Sequence, residues 1–172
     1  MIAFAPFMSS QDDLSRAYID AFEFARESRR IEGMIPVANL ERLADRLIEP
    51  TGALRCRIDG ERDRQGSYLR VDVVGMLALR CERCLGTMEF PLHVRNRLRL
   101  MKPGAEWPED DLEDDGADAV EAAKEMFLLP VVEDEVLLAL PFAPRHEACD
   151  GLAAMKKDQA SSPFSVLAKL KK

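Results

Sequence analysis

Apolar residues fall on alternate positions through most of residues 53–100, and this alternation organises the middle of the chain. Leu54, Cys56 and Ile58 share one side of the first run, with Arg55, Arg57 and Asp59 on the other. A polar turn, GERDRQG, follows at 60–66. Leu69, Val71, Val73, Leu77 and Leu79 then share a side, with Gly75 in phase. A third run sets Met88, Phe90, Leu92, Val94, Leu98 and Leu100 against Glu89, His93, Arg95, Arg97 and Arg99. Three runs of period two joined by short turns predict an antiparallel β-meander with one apolar face. Pro91 has no N–H to give a ladder, so it belongs at an edge or a bulge.

On either side the period lengthens. VANLERLADRLIEP places Val37, Leu40, Leu43, Ala44, Leu47 and Ile48 on one stripe between Pro36 and Pro50, which predicts an amphipathic helix near 37–48. LLPVVEDEVLLALP predicts a second helix near 130–140. Pro130 suits its first turn, and Glu133, Asp134 and Glu135 favour its positive N-terminal half. Val132, Val136, Leu137 and Leu140 form its buried stripe, which can cover the apolar face of the sheet. Residues 14–30 look partly helical, and 31–35 read as a short extended piece. The fold class is therefore α+β: an antiparallel β-meander sheet with helices packed on one face.

Residues 1–19 are expected to form a flexible N-terminus and residues 20–150 a single α+β domain. Inside it, the carboxylate-rich stretch 102–118 reads as a solvated loop. Residues 151–172 are a linker and a tail helix, PFSVLAKLKK, with Ser162 as cap and Pro163 at its start. Phe164, Leu167 and Leu170 lie on one side of that helix and are candidates for docking a partner.

Composition sharpens this picture. The chain has 172 residues and is 47% hydrophobic, enough for one domain with a core. No apolar run approaches the ~20 residues of a membrane span. The start lacks the basic region and small-residue cleavage site of a secretion signal. Four cysteines in a chain this long are not a disulfide scaffold. A cytoplasmic location is expected. The net charge of −7 argues against general nucleic-acid binding. The charge is uneven, however. Residues 51–103 carry eleven Lys and Arg against six acids, whereas 104–135 carry one against thirteen.

The candidate chemistry sits at RCERCLG, residues 80–86. Cys81 and Cys84 fall at the hairpin between the second and third runs, which is the setting of a zinc knuckle. Gly86 is expected to supply the backbone conformation of the turn. A knuckle gives two ligands and tetrahedral zinc wants four. PRHEACD offers the other two, His146 and Cys149, so the four would make a closed Cys₃His structural site. A thioredoxin-type redox pair belongs at the start of a helix, which a hairpin does not provide. Simple thiols with a surface histidine are the other reading, and zinc content decides between them. Cys56 alternates onto the apolar side and reads as a small core residue. His93 lies among the arginines and reads as a solvated side chain.

Arg95, Arg97 and Arg99 stand about 7 Å apart along one face of a strand, with Arg80 and Arg83 beside the knuckle. Such a ladder could meet successive RNA phosphates. The plainer reading is a polar outer face with charge pairs to its neighbours. Tyr68 is the nearby aromatic for base stacking. No phosphate loop, nucleophile elbow or other catalytic constellation stands out, so no enzymatic activity is expected.

In order, RRIEGMIPVANLERL, RCERCLGTMEFPL, an acidic stretch, VEDEVLLALPFAPRHEAC and SPFSVLAKLKK resemble the bacterial YceD family. The resemblance runs from about residue 20 to the end. It implies a non-enzymatic role in the accumulation of large-subunit ribosomal RNA, and hence in ribosome assembly. The expected partners are large-subunit ribosomal RNA or its precursor, or an assembly protein, with no membrane and no small-molecule substrate. Two mechanisms stay open: direct RNA binding through the arginines, or an adaptor whose acidic loop or tail binds a ribosomal or assembly protein.

Overall fold

The structure, a computed structural model, describes residues 13–105 and 117–149. Phe164, Leu167, Leu170 and most of the acidic stretch lie outside the described residues. In chain order the elements are β1 (Tyr18–Ile19), α1 (Ala21–Arg26), β2 (Arg30–Pro36), β3 (Leu47–Glu49), β4 (Ala53–Arg62), β5 (Ser67–Arg80), β6 (Thr87–Met101), β7 (Asp118–Glu121), β8 (Met126–Phe127) and α2 (Leu128–Ala139).

The alternation in the sequence becomes the centre of a sheet ordered β2-β4-β5-β6-β7. β4, β5 and β6 form the expected antiparallel meander, with Cys56 opposite Val73 and Val73 opposite Val94. All three side chains are buried, as the period of two requires. The extended piece near 31–35 becomes β2, antiparallel to β4. β7 adds to β6 in parallel over Leu98–Met101 only. Its first residue, Asp118, was expected to be the last of the acidic loop. Pro91 lies opposite Met76 of β5, on a stretch of β6 where no other described strand pairs, which fits the edge position its missing N–H demands.

The helix expected near 37–48 does not form. Val37–Asn39 and Glu41–Leu43 are two 3₁₀ turns, broken at Leu40, whose φ of −90° and ψ of 76° leave the helical region. Val37, Leu40 and Leu43 are all buried. Their spacing of three satisfies a 3₁₀ turn as well as it satisfies an α-helical stripe. Leu47 and Ile48 then leave the stripe for β3, where Leu47 pairs with Leu79 of β5. Strand pairing wins over helical propensity because it places that segment beyond the end of the β4–β5 ladder, on an otherwise open edge of β5.

α2 does form, with Pro130 in its first turn. Val132 and Val136 enter the core as expected, while Leu137 and Leu140 are half-buried. α1 adds Phe24 and Ala25 to the same buried cluster. Gly60 on β4 is what lets α1 approach. Its N–H donates to the Arg29 carbonyl at 2.8 Å, and a Cβ there would stand 2.4 Å from the Phe24 carbonyl oxygen. Of the stretch expected to be a flexible N-terminus, residues 13–19 pack in place: Leu14 is buried, and Tyr18 stacks on Phe127 at 4.7 Å where β1 pairs with β8.

Candidate metal centre

The β5–β6 hairpin closes through two backbone bonds, from the Cys81 N–H to the Gly86 carbonyl and from the Leu85 N–H to the Cys81 carbonyl, each 2.9 Å. The turn needs one left-handed residue, and Leu85 takes it, with φ 61°. Gly86 has no positive φ, and a Cβ on it would touch the Cys84 Sγ at 3.4 Å, an ordinary contact. The special backbone expected of Gly86 therefore belongs to Leu85. The Arg83 N–H approaches the Cys81 Sγ at 3.4 Å, the N–H···S arrangement of a knuckle.

The second pair of ligands arrives from the segment after α2. The Pro144 carbonyl accepts the Glu82 N–H at 2.8 Å, which fixes that segment against the hairpin. His146 then lies with Nδ1 3.4 Å from the Cys84 Sγ and Nε2 2.9 Å from the Thr87 carbonyl oxygen. A carbonyl can only accept, so Nε2 carries the proton and the Nδ1 lone pair faces the sulfur. That is the tautomer a metal-binding histidine needs, held by a backbone partner behind it. The ligand atoms of Cys81, Cys84, His146 and Cys149 all lie within 4.8 Å of one another. Bonds of roughly 2.0–2.3 Å to zinc at tetrahedral angles ask for ligand separations of about 3.3–3.8 Å, a small contraction from this arrangement.

The electrostatics point the same way. Burial pushes the Cys81 thiol up, but the N–H groups of Cys84, His146 and Arg83 converge on it, and the Cys84 thiol adds to them. Together they bring it down to about 6. The Gly86 N–H holds Cys84 down, yet burial and the sulfurs of Cys81 and Cys149 push it above its ordinary value. Three sulfurs and an imidazole nitrogen gathered in so small a space favour a cation among them. The four residues could thus hold a metal such as zinc. Four protein ligands complete a tetrahedron, so the set has the form of a structural site with no open position. The hairpin gives the cysteine pair no helix N-terminus of the thioredoxin kind. Cys56 stands apart as expected: it is fully buried, and burial, with Asp72 nearby, pushes its thiol up to about 12.

Register places Arg80, Arg95, Arg97 and Arg99 on one face of the sheet and leaves Arg83 in the hairpin turn, and the five are not equally free. Arg57, Asp72 and Arg95 form one cross-strand row, and Asp59, Arg70 and Arg97 the next. Arg95 pairs with Asp72 at 3.1 Å. Arg97 reaches Asp63 at 2.7 Å and Glu61 at 3.3 Å, and its guanidinium lies 3.6 Å from the centre of the Tyr68 ring. Tyr68 is only 3% exposed beneath it, so the ring offers no surface for base stacking. Arg99 donates to the Gln65 carbonyl at 3.2 Å. Arg80 and Arg83 are exposed beside the knuckle and make no ion pair among the described residues. His93 is exposed, as expected.

A polar knot on the apolar side of β6 escaped the sequence reading. Asn96 is in phase with Val94 and Leu98, and its amide donates to Asp118 at 2.7 Å and to Glu135 at 2.9 Å. It ties β7 and α2 to β6. Glu133, read from the sequence as a partner for the helix dipole, is buried instead and accepts the Arg42 N–H at 2.7 Å. The signal for the knot was the single polar residue in an apolar alternation.

Burial raises the Glu135 pKa; the Asn96 amide opposes this, and the charges of Asp118 and Asp134 add to it. The folded state thus holds the proton more tightly than the unfolded chain, and ionising Glu135 above that pKa costs stability. Glu135→Gln is expected to raise the Tm at pH 7. The gain should shrink as pH falls through the raised pKa and vanish below the ordinary glutamate range, where both states of the native protein are protonated. Thermal melts at pH 4 and pH 7 test this, and an equal shift at both would refute the assignment.

Among the described residues no helix is long and apolar enough to cross a membrane. The family model described as large ribosomal RNA subunit accumulation protein YceD matches residues 69–171. The match takes in nearly all of β5, then β6, the acidic stretch, α2, all four candidate ligands and nearly all of the tail. It begins at Leu69 and leaves out the earlier segments on which the sequence resemblance also drew. No solved structure matches the chain.

Proposed function

Since the chain belongs to the YceD family, described by its role in large ribosomal RNA subunit accumulation, we propose that it is a non-enzymatic ribosome-biogenesis factor that contacts large-subunit ribosomal RNA or its precursor directly. The observation that carries this reading is the family match across the candidate metal set and the arginine-bearing strand. Zinc in the Cys₃His set would act as a staple. It would hold the segment after α2 against the hairpin and present Arg80 and Arg83 beside it. Arg80, Arg83, Arg95 and Arg99 are the phosphate contacts. Arg97, engaged by two carboxylates and an aromatic ring, serves the sheet instead. We place the protein in the cytoplasm, where ribosomes assemble.

Crosslinking the tagged protein to RNA in growing cells with ultraviolet light, then sequencing the attached RNA, tests the reading. Crosslinks should concentrate in large-subunit precursor RNA. Replacing Arg80, Arg83, Arg95 and Arg99 together by Gln should abolish them while the melting curve stays cooperative. In vitro, the slope of log affinity against log salt should fall by about three, at roughly 0.7 per phosphate contact on single-stranded RNA. An adaptor is the second reading, favoured by the carboxylates that already engage Arg95 and Arg97. Absent crosslinks from a well-expressed native protein would overturn direct binding and favour the adaptor.

A further inference from the structure

Between α2 and β7 lies an open groove of about 330 Å³. Leu98, Val120, Val131 and Leu137 give it an apolar lining, and Leu138, also in the lining, is 77% exposed. Asp118, Asp134 and Glu135 stand along the same groove. Arg42 is the one cation among its lining residues, and it is already paired with Asp134. An apolar trough bordered by carboxylates fits a short segment that is apolar on one side and basic on the other.

The chain itself carries such a segment. PFSVLAKLKK, residues 163–172, places Phe164, Leu167 and Leu170 at a spacing of three, interleaved and followed by Lys169, Lys171 and Lys172. The family match runs to residue 171 and so includes nearly all of it. The reach is sufficient. Fourteen residues from Cys149 to Pro163 extend to at most about 46–50 Å. The eleven-residue rise of β6 from Thr87, at the metal end, to Leu98, in the groove, is about 37 Å.

We propose that residues 163–172 dock into the α2–β7 groove of their own chain, with the apolar side chains on its floor and the lysines against its exposed carboxylates, Asp118 and Asp134. The inference rests on the groove and the charge pattern, and it stands whether or not the protein binds RNA. The tail then completes the cover over the β6–β7 junction.

A benzophenone photo-crosslinker placed at residue 167 of the full chain tests it, with products mapped by mass spectrometry at low protein concentration. The expected product is a crosslink within one chain to residues 118–120 or 131–138. Leu138→Glu should lower its yield by about tenfold or more, because it removes an apolar contact and adds a charge to an already acidic groove. Leu138 is exposed, so that variant should fold, and an unchanged melting curve would confirm it. Crosslinks to the groove of a second copy, to another surface, or with no sensitivity to Leu138→Glu would overturn the proposal.

Discussion

Cys84→Ser protein is expected to purify with well under one zinc ion per chain, where the native protein carries close to one. Its Tm should fall by about 10 °C. Serine is nearly the size of cysteine but is a poor zinc ligand, so the change removes affinity without creating a cavity. Structural zinc in isolated finger peptides supplies about 10–16 kcal/mol because nothing else holds those chains. Here the sheet and its buried cluster stand on their own, so only the part of that energy spent on holding residues 141–149 to the hairpin is lost. A loss of about 3–5 kcal/mol corresponds to roughly 6–20 °C in a chain of this size. Chelator should reproduce the drop in the native protein and leave the variant unmoved. The agreement between chelation and substitution is what separates a metal staple from a set of buried thiols. Should native protein purify without metal and melt with the variant, the four residues are thiols and an imidazole, and the staple is lost.

The second large effect is a contrast between two glycines on the apolar side of the sheet. A Cβ at Gly60 would meet the Phe24 carbonyl oxygen at 2.4 Å and carbonyl carbon at 2.8 Å. Those are main-chain atoms of α1, so the whole short helix would have to lift, and the bond from the Gly60 N–H to Arg29 would stretch with it. Gly60→Ala should cost about 3 kcal/mol, or ~6–12 °C in Tm. A Cβ at Gly75 would come equally near an atom, at 2.4 Å, but that atom is the Leu54 Cδ2 at the end of a side chain. A rotamer change can move it, and alanine restricts the unfolded chain more than glycine does. Gly75→Ala should therefore stay within about 1 kcal/mol of the native protein. Melting both variants side by side checks the argument, and equal losses would show that the approach of α1 is not the limiting contact.

What the sequence made legible follows from how local each signal is. The meander was readable because alternation over ten or more residues has one physical meaning, a strand with one wet face. The metal set was readable because both halves announce themselves by residue type and spacing. The segment at 37–48 was misread because Val37, Leu40 and Leu43 satisfy periods of three and of three to four alike. The deciding contact, Leu47 with Leu79, lies more than thirty residues away along the chain. β7 was invisible for a similar reason: four residues, DAVE, acquire strand character only from the edge of β6 beside them. The arginines were visible as a ladder, but the acids that engage them come from β4, β5 and the turn between those strands, which one-strand patterning cannot reveal. Buried Glu133 and Glu135 are the sharpest case. Their sequence position suggests water and a helix dipole, and only the packing of α2 turns them inward.

Pro91 has a consequence at the level of many molecules. Among the described residues, β7 covers only four of the fifteen residues of β6. A long strand with an open flank is a template on which a second molecule can add its own strand, and repeated addition builds fibres. Proline in the middle of that flank removes one of the N–H groups such an addition would need, and Glu89, His93 and Arg95 crowd the same stretch with polar side chains. A residue that looks like a flaw in the ladder thus makes this flank a poorer template for such addition.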